Sequence, residues 1–313
     1  MSAQSVTLGI VGASGLVGRE LSKQAAEAGW RVCGFSRTPR TPDATVAEWR
    51  AWSDLPDFTG ISALVNLAGD PINQKWTNRR KREFWESRIG VTIGIARGLT
   101  QLTRVERPLV LVNASAVGVY GDRGDEILEE DAPPGTGYLA DLCRDWETAA
   151  DTVAAQGIRV MKWRTGMVLA REGEGFKTML KPFKMGLGGK LGSGKQWVSW
   201  IHVEDLAASI LHGISHGELV GPVNGTAPEP ERNADFSRKV GKALDRPAIL
   251  SVPGFVLKAM LADFASVVLS SQRVVPRVLQ ESGFRFRYPT LELALDDLVK
   301  KDTPKAAGAQ QPV

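Results

Sequence analysis

Two cysteines, Cys33 and Cys143, and three histidines, His202, His212 and His216, are all that the 313-residue chain carries of those types. Two thiols cannot build a disulfide framework or a structural zinc site. Usage this low suits a reducing cytoplasm. His212 and His216 stand four apart, as a metal pair on one helix face would, but no H-E-x-x-H pattern surrounds them and no metal site is expected. Neither sign of charge dominates: 39 basic and 35 acidic side chains leave a formal net charge of +4. Such a balance describes a mixed solvated surface rather than a nucleic-acid footprint, although a modest basic bias suits an anionic ligand. No apolar run approaches the ~20 residues that span a bilayer. The N-terminus has no basic region leading into an apolar segment and a cleavage site. The expectation is a soluble, cytoplasmic chain whose partner is a small molecule, neither nucleic acid nor membrane; a homodimer is left open.

What the chain does have is alternation. VTLGIV (6–11) is a short apolar run, followed by GASGLVG and a helical pattern from Arg19 to Ala28, with Gly29 as its C-terminal stop. WRVCGFS (30–36) reads as a second strand, which completes a βαβ unit. The segment 38–56 reads as loop with at most a short helix. ALVNLAG (63–69) is a third strand, 77–103 a helix, PLVLVNASAVGVYG (108–121) a strand running into a loop, 138–156 an amphipathic helix and IRVMKWRTGMVL (158–169) a fifth strand. Strands that alternate with helices and are nearly continuous in apolar residues predict a parallel, doubly wound α/β sheet. Beyond residue 170 the texture turns Gly- and Lys-rich with weak periodicity. A strand and helix follow over 197–214, a strand at 221–227, helices at 234–244 and within 252–282, an alternating strand at 284–290 and a short helix. Residues 301–313 lack a core-forming pattern and are expected to be a disordered tail.

Gly12, Gly15 and Gly18 form G-x-x-G-x-x-G between the first strand and its helix. In that context the spacing points to a dinucleotide pyrophosphate held on a helix N-terminus; a purely structural glycine turn is the alternative. The second strand ends in Ser36 and Arg37, where NAD binders usually place Asp or Glu. No carboxylate repels a 2′-phosphate there and Arg37 can pair with one, so NADP is expected over NAD, unless Arg37 is only a surface arginine. Leu67, Ala68 and Gly69 close the third strand with mostly small residues, which suit a cofactor lying across the backbone or simply tight packing.

GASGLVG, NLAG, SAVGVYGD and WIHVEDLA, in that order, resemble the extended short-chain dehydrogenase/reductase superfamily. NLAGDPINQKWT, NASAVGVYGDRGDE, CRDWE and PFKMGLGGKLGSGKQWVSWIHVEDL resemble its atypical, epimerase-like branch, whose members are often labelled nucleoside-diphosphate-sugar epimerase-like. The resemblance covers about residues 6–300. It implies a Rossmann-like doubly wound parallel sheet with a smaller C-terminal substrate lobe and NADP as cofactor. The NADP-binding part would comprise 1–165 plus about 196–225, the substrate lobe about 166–195 and 226–300. It assigns Gly12, Ser14, Gly15, Leu16 and Val17 to the pyrophosphate, Ser36 and Arg37 to the 2′-phosphate and Leu67, Ala68 and Gly69 to the adenosine side. Glu83 and Arg88 match positions that touch the cofactor, although a solvated Arg88 stays open.

Hydride-transferring members of the superfamily carry a Tyr-x-x-x-Lys pair on the helix after the fourth strand. Here the anchoring pattern places Leu139 and Cys143 at those positions, and a shift by one gives Tyr138 and Leu142. The pair is absent. Ser115, where the superfamily serine is expected, and Tyr120 are the remaining catalytic candidates, Tyr120 with a packed role as its alternative. Cys143 reads as a small buried residue. Lys195, Trp197, Trp200 and His202, with Lys184, Lys190 and Gln196 nearby, could hold a substrate by charge and aromatic contact, or form a flexible basic loop. Glu204 and Asp205 are expected to cap the next helix. The expected activity is that of an NADP-dependent oxidoreductase or epimerase-like enzyme on a small or nucleotide-linked carbonyl or hydroxyl compound, such as a nucleotide-linked sugar. The alternative is a non-catalytic NADP(H)-binding redox sensor or scaffold.

Overall fold

The computed structural model describes residues 6–299, and the expected tail at 301–313 lies outside them. The first half alternates β1 (Thr7–Val11), α1 (Leu16–Glu27), β2 (Arg31–Ser36), β3 (Glu48–Ala51), β4 (Ala63–Asn66), α2 (Asn78–Trp85), α3 (Val91–Thr100), β5 (Val110–Ala116) and α4 (Tyr138–Ala154). Then come β6 (Arg159–Thr165), α5 (Glu174–Lys184), α6 (Val203–Ser215), β7 (Gly221–Gly225), α7 (Asn233–Ala243), α8 (Gly254–Leu261), α9 (Ala265–Leu269), α10 (Arg277–Glu281) and α11 (Leu291–Val299).

The seven strands form one sheet in the order β7-β6-β5-β4-β1-β2-β3, parallel throughout. The expected Rossmann-like α/β fold is therefore present. The two-residue period of a strand sorts its apolar residues. Leu8, Ile10, Ala63, Val65, Val110 and Val112 pack with Leu21 and Ala25 of α1 and Leu206 and Ile210 of α6. Val11, Cys33, Phe35, Leu64 and Leu111 pack with Ile95 and Leu99 of α3 and Ala150 and Val153 of α4. Both faces are covered, which is why these strands carry almost no polar residue before their C-terminal ends.

The strand order places the site. From β1 the chain winds outward through β2 and β3, then returns to β4 on the other side of β1 and winds the opposite way. Between β1 and β4 the helices leave to opposite faces, and a crevice opens at the C-terminal ends of the strands. Gly12, Leu67 and the end of β5 meet at that edge.

Three elements differ from expectation. The segment 38–56, read as loop, contains the edge strand β3, paired with β2 in register Cys33↔Glu48 to Ser36↔Ala51. Its sequence EWRA has no apolar alternation, because an edge strand is only half covered. Residues 284–290, read as a strand, pair with nothing in a ladder. The Arg287 and Tyr288 amides donate instead to the Asp205 carboxylate at 2.9 Å each, and Phe284 stands edge-on to Phe286 with centroids 4.8 Å apart. The alternation records packing against α6, not sheet pairing. The segment after 170 forms α5, whose helical pattern is obscured by Pro182 and the glycines that follow.

A further core lies outside the large sheet. Phe176, Leu180 and Phe183 of α5, Phe236 and Val240 of α7, and Leu291, Leu295 and Leu298 of α11 close around Trp200 and Tyr288. No helix among the described residues is long and apolar enough to cross a membrane.

Candidate functional site

The glycine loop has the shape a pyrophosphate requires. Gly12 sits at φ +88°, and a Cβ there would stand 3.0 Å from the Leu67 carbonyl carbon. A Cβ on Gly18 would approach Gly12 O to 2.2 Å, so that position must be glycine for the helix to start against the loop. Gly15 is the N-cap of α1, makes no side-chain cap bond and is followed by no acidic residue in the first turn. The first-turn amides of Leu16, Val17 and Gly18 thus have no carbonyl partner within the helix and stand at the positive end of its dipole, with no acidic residue in the turn. Exposed Ser14 holds its carbonyl to Arg19 Nη1 at 2.8 Å, which pins the loop. The residues present fit a dinucleotide.

At the end of β2, Ser36 Oγ accepts the Thr38 amide and the Arg40 Nε, both at 3.2 Å. Arg37 is exposed beside it. Arg40, which sequence reasoning passed over, lies 5.3 Å over the Trp49 ring of β3. Two guanidiniums and a hydroxyl therefore gather where no carboxylate stands. The signal for Arg40 was hidden because its platform, Trp49, belongs to the strand that was read as loop.

Under Leu67–Gly69 runs a buried polar network. The Asn66 side chain donates to Asn113 Oδ1 at 2.8 Å and Thr92 Oγ1 at 3.1 Å, and its Oδ1 accepts the Ala68 amide at 3.1 Å. Thr92 Oγ1 also bonds the Arg88 carbonyl and the Trp146 indole N–H. This fixes a π-helical turn, Glu86–Gly90, between α2 and α3. Such turns aim a side chain off the regular helical spacing. Here that side chain is Arg88. Its guanidinium lies 5.3 Å over Trp146, donates to Asp70 O at 2.9 Å, and would be 3.1 Å from a Cβ on Gly69. Arg88 thus joins Gly69 at the crevice, held by carbonyls and a ring, and burial lowers its pKa. Glu83 does not join them. It points along α2, paired with Arg80 at 2.6 Å and Arg79 at 3.6 Å.

The catalytic candidates are occupied. Ser115, 3% exposed, donates its hydroxyl proton to Glu147 Oε1 at 2.7 Å. Arg164 grips both oxygens of that carboxylate, at 2.8 and 2.9 Å. Its Nη1 also donates to the Tyr120 hydroxyl at 2.9 Å, which in turn donates to Asn224 Oδ1 at 2.7 Å. Tyr120 is 0% exposed, and burial raises its pKa. Its hydroxyl has no open face for a substrate, so the expected acid role does not carry into the structure. Leu139 and Cys143, the two residues set by the expected register, face Gly118 just beyond β5. Burial pushes the Cys143 thiol up to about 12, so it is a packed thiol and not a nucleophile.

Of the four expected substrate residues, two belong to the core. Trp200 is 0% exposed and donates to Glu229 O at 3.0 Å. His202 is 1% exposed, stacks on Tyr288 with centroids 3.9 Å apart, and its Nδ1 accepts the Glu204 amide. His202, rather than Glu204 or Asp205, is the N-cap of α6, and both assignments to substrate fall with that burial. Trp197 is half-buried; Arg232 and Arg273 lie over its ring at 4.2 and 4.6 Å, which leaves little ring face for a ligand. Only Lys195 is exposed. His212 and His216 stack at 3.7 Å, with His212 Nε2 2.9 Å from Ser282 Oγ.

The comparisons with known proteins bear on the family and the fold. Residues 8–224 match the NAD dependent epimerase/dehydratase family, and residues 252–298 match a domain of unknown function, DUF1731. An epimerase family protein SDR39U1 homolog of Arabidopsis thaliana, described as chloroplastic, is 38% identical over 93% of this chain and 86% of its own. The epimerase family protein ML0860 of Mycobacterium leprae is 36% identical over 94% and 96%. Among solved structures, human epimerase family protein SDR39U1 with NADPH superposes with a TM-score of 0.85 at 30% identity, covering 94% of this chain and 99% of that one. A nucleoside-diphosphate sugar epimerase from Corynebacterium glutamicum gives 0.76 at 31% identity, over 95% of this chain and 59% of that one. This chain belongs to the NAD dependent epimerase/dehydratase family.

Proposed function

We propose that the chain binds NADP(H) and uses it to interconvert a small carbonyl compound and its alcohol. One observation carries the cofactor choice: the end of β2 offers Ser36, Arg37 and Arg40, and no carboxylate, opposite an uncapped helix N-terminus. A 2′-phosphate there gains charge-assisted contacts that the NAD hydroxyl cannot make. The NADPH named with the human relative supports the same reading. When bound, the nicotinamide supplies or accepts a hydride. The residues of this chain would hold the cofactor's pyrophosphate at Gly12–Gly18 and its 2′-phosphate at Ser36–Arg40, with Leu67–Gly69 on its adenosine side and Arg88 beside Gly69. Titration with NADPH and NADH, followed by cofactor fluorescence, tests the choice. NADPH should bind at least tenfold tighter, and equal affinities would sink it.

A second reading has its own support. Leu139 and Cys143 cannot move a proton, and the Ser115 proton is committed to Glu147. Tight NADPH binding with no turnover of any carbonyl compound would favour a redox sensor or scaffold.

A further inference from the structure

Five large apolar side chains stay exposed where two distant stretches of the chain meet. Met185, Leu187, Ile249, Phe255 and Met260 are each between 56% and 85% exposed. Single exposed apolar residues are ordinary, but a cluster of them marks a contact surface. The stretches join in a short parallel ladder, Gly189–Leu191 beside Leu250–Val252, with Leu250 opposite Gly189. The approach is so close that a Cβ on Gly189 would stand 1.8 Å from the Leu250 carbonyl oxygen. Met185 and Leu187 precede the first strand of this ladder at the end of α5, and Ile249 precedes the second. Phe255 and Met260 follow it on α8. Leu269 of α9 ties α8 to the ladder, since it lies 2.8 Å from a Cβ placed on Gly192 and 3.8 Å from one on Gly254.

The same stretches are basic. Residues 175–192 and 239–262 hold four basic side chains each and one acidic residue between them, Asp245. Lys181, Lys184, Lys190 and Arg246 are exposed, and among the described residues none of them forms an ion pair. A second copy of the chain on this face would set like charges against each other. A protein partner is also disfavoured, because arginine is enriched and lysine depleted at protein interfaces, and here every basic residue but Arg246 is lysine. Lysines around protruding phenylalanine, isoleucine, leucine and methionine are instead what an anionic bilayer surface attracts: its lipids supply diffuse negative charge and its headgroup region accepts short apolar side chains. The expectation of no membrane partner rested on the lack of a spanning segment, and a surface that rests on a bilayer needs none.

We propose that the surface formed by the end of α5, the short ladder and α8 docks on an anionic lipid bilayer. Leu187, Ile249 and Phe255 enter the headgroup region, and Lys181, Lys184 and Arg246 meet the anionic lipids. The α5–α7–α11 core holds this surface in shape, because Phe176, Leu180 and Phe183 anchor the inner side of α5 while its lysines face out. The inference is independent of the redox reading above.

Co-sedimentation of the full chain with lipid vesicles tests it. Vesicles of phosphatidylcholine with about 30% phosphatidylserine should bind the chain about tenfold better than phosphatidylcholine alone. Raising the salt from about 0.05 M to about 0.5 M should release most of it, since screening shortens the reach of the lysines. The double variants Ile249→Ser/Phe255→Ser and Lys181→Glu/Arg246→Glu should each lower binding by about tenfold, one through lost apolar insertion and the other through reversed charge. All four side chains are exposed, so both variants should fold, and an unchanged circular dichroism spectrum and melting temperature check this. No binding to the anionic vesicles, equal binding to the neutral ones, or wild-type binding by either folded variant overturns the inference. A concentration-dependent dimer that Ile249→Ser/Phe255→Ser abolishes, with no vesicle binding, makes the face a contact between copies and overturns it too.

Discussion

Ser115, near the C-terminal end of β5, and Glu147 of α4 share one proton-bearing contact, 2.7 Å long and buried on both sides. Because Arg164 holds the same carboxylate bidentately, the serine hydrogen points into the protein. The serine can accept a hydrogen bond from a ligand but has none to give.

Breaking this unit should cost stability unevenly. Glu147→Ala leaves the buried Arg164 uncompensated and should destabilise by about 3–5 kcal/mol. Ser115→Ala removes one hydrogen bond to a charged group and should cost about 1.5–3 kcal/mol at most. Urea unfolding measures both. A smaller loss in Glu147→Ala than in Ser115→Ala would refute the network as drawn.

Cofactor discrimination should be divided between two arginines. Arg37→Ala and Arg40→Ala should each weaken NADPH binding by about 1–3 kcal/mol while NADH binding barely moves. Calorimetric titration of the two cofactors decides it. Equal losses for both cofactors in either variant would show that arginine to be outside the 2′-phosphate site.

Alkaline pH should destabilise the chain through its thiols. Burial raises Cys143 from 9.0 to about 12 and Cys33 from 9.0 to about 11. Above pH 9 the unfolded chain releases thiol protons that the folded chain retains, so stability is full below 9 and falls as pH rises toward 11–12. A Cys33→Ala/Cys143→Ala double variant should show a flatter decline in that window. An identical slope would contradict the assigned burial effect.

Trp200 and His202 should report on folding and not on ligand. Trp200→Ala opens the α5–α7–α11 core and should cost about 3–5 kcal/mol. His202→Ala removes the α6 cap and should cost about 1 kcal/mol. Both should bind NADPH like the wild type when measured well below their melting temperatures. A selective loss of cofactor affinity in either would return that residue to the site.

Much of the fold was legible in order along the chain. Apolar runs, helical spacing and glycines are contiguous signals, and they marked most strands of the large sheet and the helices around them. β3 was missed because a half-covered edge strand needs no apolar alternation. Residues 284–290 were misread because alternation also arises when a loop packs two phenylalanines beside α6. For the site, the glycine turn Gly12–Gly18 was legible because it is built from consecutive backbone, and Ser36 and Arg37 because they close the neighbouring strand β2. Arg40 was not assigned, since it depends on a partner brought from elsewhere, Trp49.

The sequence by itself thus determined the doubly wound sheet, the nucleotide loop and the loss of the Tyr-x-x-x-Lys pair, all of which are properties of short stretches. Only the tertiary structure decided what the remaining polar groups do. Ser115 meets its acceptor 32 residues away, and Tyr120 meets Asn224 across 104. Burial of Trp200 is set by α5, α7 and α11 closing from other parts of the chain, and His202 lies against Tyr288 and Asp297. A side chain's chemistry is written at its own position, but its exposure and its partners are fixed by residues that only folding brings near.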